Sequence, residues 1–129
     1  MNLNTGKAVK ILVIEDDLQL QMMLRLTLEK SGYTVLTANN GAEGFQRMQE
    51  TPADLVITDI FMPQEDGIVA ITKIKKDWPT VKILAMSGGA PGGSFGFLPV
   101  AQSLGANAIL HKPFSREALL KELETLINS

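Results

Sequence analysis

Four short apolar runs in this chain lead into side chains that carry charge or a hydroxyl. Ile11-Leu12-Val13-Ile14 is followed by Glu15-Asp16-Asp17, Leu55-Val56-Ile57 by Asp59, Ile83-Leu84-Ala85-Met86 by Ser87, and Ala108-Ile109-Leu110 by His111 and Lys112-Pro113. Carboxylates within about 4 Å of one another repel by roughly 4 kcal/mol per pair at an effective dielectric near 20, so a cation belongs among them. Oxygen donors without nitrogen or sulfur suit Mg²⁺, which takes one or two carboxylates and keeps several waters. A carboxylate beside such an ion can attack phosphorus and become an aspartyl phosphate. A lysine would then pair with the phosphate, and a serine hydroxyl could donate a hydrogen bond to it. Singly, these residues have plainer readings. Glu15, Asp16 and Asp17 suit the start of a solvated helix, where acids meet the positive end of the dipole. Asp59 could be a turn residue ahead of Met62-Pro63, and Ser87-Gly88-Gly89 a generic turn. Lys112 resists a plain reading, because a lysine ending a buried strand needs an acidic partner.

Residues at run ends share a site only if the runs are parallel strands of one sheet. Several runs are apolar at every position, as expected of strands covered on both faces; Tyr33-Thr34-Val35-Leu36 is the further strand. Between them lie segments of helical period. Leu20, Met23, Leu24, Thr27 and Leu28 mark the first, stopped by Gly32. Asn40 with Glu43 forms a capping box ahead of Phe45 and Met48. Ile71, Ile74 and Trp78 mark a third helix ending before Pro79. Phe97, Val100, Ala101 and Leu104 mark a fourth, closed by Gly105. Ser115 caps a fifth, with Glu117 in its first turn and Leu119, Leu123, Leu126 and Ile127 turned inward. Met22, Met23, Met48 and Met86 read as core filler, Asp66-Gly67 as a turn, and Gly88 to Ser94 as a mobile loop. Five alternating strand–helix units give an α/β doubly wound sheet with helices on both faces. Ligands of such sheets lie beyond the carboxyl ends of the strands, where these polar residues fall.

Composition excludes much else. The 129 residues are 45% hydrophobic and 20% charged, a globular balance of single-domain size. Zero cysteines rule out disulfides, thiolate zinc sites and a cysteine nucleophile, and a lone histidine, His111, rules out multi-histidine metal clusters. No apolar run approaches the roughly 18 residues of a membrane span, and residues 1–8 read as a flexible N-terminal extension without a signal core. A cytoplasmic location is expected. A net charge of −2 leaves no electrostatic footprint for nucleic acid.

Together the motifs carry a resemblance. Ile11 to Asp17, Asp59-Ile60-Phe61-Met62-Pro63 with Asp66-Gly67, Ser87-Gly88 and Lys112-Pro113-Phe114 resemble, in order, the receiver domain of bacterial two-component response regulators, from about Val9 to Ile127. The resemblance implies a flavodoxin-like (βα)5 fold with strand order 2-1-3-4-5. It makes Asp59 the phosphoacceptor. Asp16 and Asp59 become direct Mg²⁺ ligands (Mn²⁺ able to substitute), with the Phe61 backbone carbonyl as a third and Glu15 acting through water. Ser87 becomes the switch hydroxyl and Lys112 the phosphate-pairing lysine, with a cis peptide bond before Pro113. Asp17 falls one place beyond the family's acidic pair and reads as an exposed acid starting the first helix. The implied partners are a histidine kinase or histidine phosphotransfer protein as donor and an unidentified downstream protein target. The output is altered binding through the fourth strand, fourth helix and fifth strand. Neither direct nucleic-acid binding nor a membrane is expected. The protein is then a single receiver domain over 1–129 and not an enzyme, beyond assisting its own aspartyl phosphorylation and dephosphorylation.

Three departures from the common pattern stand out. Ile109 replaces a frequent aromatic switch residue, so switching should rely on Ser87 and loop movement. The stretch from Ser87 to Lys112 is long and glycine-rich, which predicts mobility that exposes Phe95 and Phe97. Phe61 and Gly89 occupy positions that govern water access to the phosphoaspartate. Among rivals, a phosphatase of the haloacid-dehalogenase type needs a second aspartate where Phe61 stands. A flavin or nucleotide binder needs a glycine-rich loop after the first strand. Two alternatives keep the fold: a phosphorylation-independent interaction module, and a receiver fragment of a longer regulator or hybrid kinase.

Overall fold

The computed structural model describes residues 8–60, 66–87 and 105–129. Strands β1 (Lys10–Ile14), β2 (Thr34–Ala38), β3 (Leu55–Asp59), β4 (Lys82–Ser87) and β5 (Ala108–His111) form one parallel sheet in the order β2-β1-β3-β4-β5. The helices are α1 (Leu18–Lys30), α2 (Gly41–Glu50), α3 (Asp66–Asp77) and α4 (Arg116–Ile127). The helix expected over Phe97 to Leu104, the loop from Gly88 to Ser94 and the Phe61 carbonyl lie outside the described residues, as does most of the N-terminal extension. Among the described residues no helix is long and apolar enough to cross a membrane.

Alternation along each strand divides the core into two layers, since successive side chains point to opposite faces. Leu12, Ile14, Val56, Ile83 and Ala85 face α2 and α3, meeting Met48, Ala70, Ile71 and Ile74. Ile11, Val13, Leu55, Ile57, Leu84 and Met86 face α1 and α4, meeting Leu24, Leu28, Leu119, Leu123 and Leu126. Gly44 on α2 lies so close to the sheet that an added Cβ would meet Cγ1 of Ile14 at 2.8 Å.

Local chemistry sets the helix bounds. Asp17 is the N-cap of α1, its Oδ1 accepting from the backbone N–H groups of Gln19 and Leu20 at 3.0 and 3.3 Å. At the other end Gly32 has φ +97°, and the N–H groups of Gly32 and Tyr33 donate to the Glu29 and Leu28 carbonyls. These two bonds make a Schellman cap, so β2 starts at Thr34 rather than Tyr33 and runs on to Ala38. Asn40 Oδ1 accepts from the Glu43 N–H at 2.8 Å, and Glu43 Oε1 reaches back to the Asn39 N–H at 3.1 Å. Phe45 packs edge-on against Trp78, ring centres 5.5 Å apart. Ser115 caps α4 by accepting from the Ala118 N–H at 3.0 Å.

Two expectations are corrected. Asp66 and Gly67 open α3 rather than forming a separate turn. Met48 and Met86 are buried, but Met22 and Met23 are 55% and 43% exposed. The inward face of α1 is centred on Leu24, Thr27 and Leu28, and a rotation of 100° per residue carries Met22 to the far side and Met23 to the margin.

Candidate functional site

All five strands point their carboxyl ends the same way, and three backbone bonds continue the sheet beyond the regular pairing. The Glu15 N–H donates to the Ala38 carbonyl at 3.0 Å, the Ile60 N–H to Met86 at 3.0 Å, and the Lys112 N–H to Ser87 at 2.6 Å. Residues that follow separate strands are thereby locked into one rim. Asp59 is the last residue of β3 and Ser87 the last of β4, while Glu15 and Lys112 are one place past β1 and β5.

On this rim the Lys112 ammonium bridges two acids, lying 2.5 Å from Asp59 Oδ2 and 3.3 Å from Glu15 Oε1. Glu15 is 1% exposed and its second oxygen accepts from the Asp17 N–H at 3.0 Å. Burial raises the Glu15 carboxyl to about 7; the Asp59 charge and a hydrogen bond with Asp16 push the same way, against the Asp17 amide and Lys112. Burial pulls the Lys112 amine down, but the hydrogen bonds and charges of Asp59 and Glu15 outweigh it and leave the amine raised. Lys112 thus stays charged, and removing one member of such a buried pair typically costs about 3–5 kcal/mol. The Lys112–Pro113 peptide bond is cis.

Ser87 is fully buried at the end of β4, and among the described residues its Oγ finds no hydrogen-bond partner. A buried hydroxyl without a partner is costly and asks for a ligand or a rearranged state that uses it. Asp16 is exposed beside Glu15. The structure therefore brings Asp59, Glu15 and Lys112 into contact, puts Ser87 on the adjoining strand end and leaves Asp16 at the surface. His111 is exposed, and Ile109 is half-buried against the layer under α2 and α3.

Among the described residues no three acidic, histidine or cysteine side chains form a metal-chelating group by themselves. The donors on this rim are all oxygens, two from carboxylates held together by a lysine. That set fits Mg²⁺, which completes its shell with water, backbone carbonyls and phosphate oxygens rather than an all-protein cage.

Sequence reasoning missed Gln21. From the first turns of α1 its Nε2 donates to the Glu15 carbonyl at 2.9 Å, the Ala38 carbonyl at 3.2 Å and Asn39 Oδ1 at 2.9 Å. No spacing signal points to it, because two of its acceptors are main-chain groups.

Comparison with known proteins agrees with this geometry. A sequence model described as the response regulator receiver domain matches residues 11–124. The chain is 35% identical over 123 residues to the response regulator receiver protein CpdR of Brucella abortus, covering 92% of this chain and 96% of CpdR. It is 33% identical over 122 residues to the chemotaxis protein CheY of Bacillus subtilis, covering 94% and 99%. It spans only 26% of the Escherichia coli transcriptional regulatory protein GlrR, to which it is 31% identical. The crystal structure of a receiver domain protein from Clostridium thermocellum superposes with a TM-score of 0.85 at 32% identity, covering 93% of this chain and 94% of that one.

Proposed function

The chain belongs to the response regulator receiver family of two-component signalling, and from that premise we propose that it is a phosphoacceptor switch modified on Asp59. The carrying observation is the Lys112 ammonium set across Asp59 and Glu15 beside the unpartnered Ser87 hydroxyl. The donor is a histidine kinase or histidine phosphotransfer protein. An Asp59 carboxylate oxygen attacks phosphorus in line with the donor's phosphorus–nitrogen bond. That bond breaks, its electron pair stays on the imidazole nitrogen, and the nitrogen takes up a proton. Asp16, Asp59 and the Phe61 carbonyl would hold Mg²⁺, with Glu15 acting through water. When bound, the ion offsets negative charge between the carboxylate and the incoming phosphoryl group.

This chain's own residues do the rest. Lys112 orients the Asp59 carboxylate through its ion pair and afterwards pairs with a phosphoryl oxygen. Ser87 then gains the acceptor it lacks, and its movement draws on the β4–β5 side of the sheet, the surface a downstream protein would read. The outward face of α1 supports docking of a protein donor beside the acids. Leu18, Met22, Met23 and Leu26 are exposed there, and a groove of about 340 Å³ runs between Met23, Leu26, Thr27, Lys30 and Arg116. The apolar floor and two cations at its edge complement a helix with apolar and acidic side chains.

The test is intact mass after incubation with acetyl phosphate and Mg²⁺, for the wild type and Asp59→Asn. One phosphoryl group should add to the wild type and none to the variant. No addition to the wild type, with a beryllofluoride mimic also leaving the spectrum unchanged, would make the domain a phosphorylation-independent docking module.

A further inference from the structure

The Gln21 amide is bonded to neither Asp59 nor Lys112, yet it is bonded to the backbone that carries the acids. Its Nε2 donates to the carbonyl of Glu15, the peptide group that links Glu15 to Asp16. The same nitrogen reaches the Ala38 carbonyl, which also accepts from the Glu15 N–H. Its third acceptor, Asn39 Oδ1, belongs to the loop that caps α2, where the Asn39 N–H donates to Glu43 Oε1. One side chain thus ties the end of β1, the end of β2 and the start of α2 to α1, at the peptide group that directly precedes the exposed Asp16.

Two N–H protons serve three acceptors, so one proton is shared. A half-buried peptide carbonyl that lost this donor would be free to turn toward another, rotating the Glu15–Asp16 peptide plane. Asp16 and Glu15 would then lose their fixed aim relative to Asp59. We propose that Gln21 is a positioning residue for the acidic site, setting the plane of the Glu15–Asp16 peptide and hence the affinity for Mg²⁺. The assignment rests on the reading of this rim as the Mg²⁺-dependent phosphoacceptor site.

Gln21→Met keeps the length and removes the donor, whereas Gln21→Lys puts three N–H groups in place of the two. Mg²⁺ is titrated without phosphodonor, following backbone amide resonances of residues 15, 16 and 59, and acetyl phosphate then gives the rate at saturating Mg²⁺. Gln21→Met should bind Mg²⁺ about tenfold more weakly, in line with losses from orienting groups around a metal. Its rate at saturating Mg²⁺ should stay within about threefold of wild type, since Asp59 and Lys112 are untouched. Gln21→Lys should recover part of the affinity, its added charge opposing the cation while its donors hold the peptide plane. Leu28→Ala, which loosens α1 from the core instead, should leave affinity unchanged in its folded fraction. Equal Mg²⁺ affinity in Gln21→Met and wild type would overturn the assignment, as would an equal loss in Leu28→Ala. Wild type that neither binds Mg²⁺ nor takes up phosphoryl would instead sink the reading of the rim itself.

Discussion

If Ser87 is the switch hydroxyl, it pits stability against switching in a single atom. Its hydroxyl is fully buried and has no partner among the described residues, a situation that generally costs about 1–3 kcal/mol. Ser87→Ala should therefore stabilise the unphosphorylated protein by about 1 kcal/mol in urea denaturation, while Asp59 still accepts a phosphoryl group and the conformational response weakens. A loss of stability instead would mean that the hydroxyl already has a partner in the resting state. Asp59, Ser87 and Lys112 were legible in the sequence because each stands at the end of a short apolar run. Glu15 was legible as an acid, but its burial and its direct contact with Lys112 were not. Those follow from the Asp17 amide drawing one carboxylate oxygen inward, a bond that depends on where the chain turns. Gln21 was illegible for a related reason: residue types do not say which carbonyls at a sheet's end need a donor.

Among the elements, α1 is the one whose sequence misleads. Leucine and methionine occupy both its sides, so the periodicity that locates Leu24 and Leu28 does not say what becomes of Met22 or Leu26. Three helix limits were readable from their caps, at Gly32, Asn40 with Glu43, and Ser115. The start of α3 was not, because Asp66-Gly67 is equally good turn chemistry. If the outer side of α1 receives the phosphodonor protein, Met22→Glu should slow transfer from a phosphorylated histidine kinase by tenfold or more. Transfer from acetyl phosphate should be unchanged, and stability should stay within about 0.5 kcal/mol, as for other surface substitutions. Equal slowing with both donors would place the defect in the acceptor site and not in docking.

For the molecule as a whole, periodicity gave alternating elements and hence an α/β sheet, whereas the strand order was implied only by resemblance to a family. Apolar runs carry no record of which neighbour they pair with, and only the register, such as Asp59 opposite Met86 and Ser87 opposite His111, places the functional side chains on one rim. The sheet also acts as a partition, because its alternating side chains give each layer its own contacts. Ile71→Val under α3 and Leu123→Ala under α4 should cost about 0.5–1.5 and 2–5 kcal/mol. Combined, their effects should sum to within about 0.5 kcal/mol by denaturant titration, as expected of sites without shared neighbours. A larger departure would mean that strain crosses the backbone. With the partition intact, substitutions can accumulate on one side without constraining which ones the other side tolerates, so the layer under α1 and α4 and the layer under α2 and α3 are free to diverge at separate rates around an unchanged row of acids and lysine.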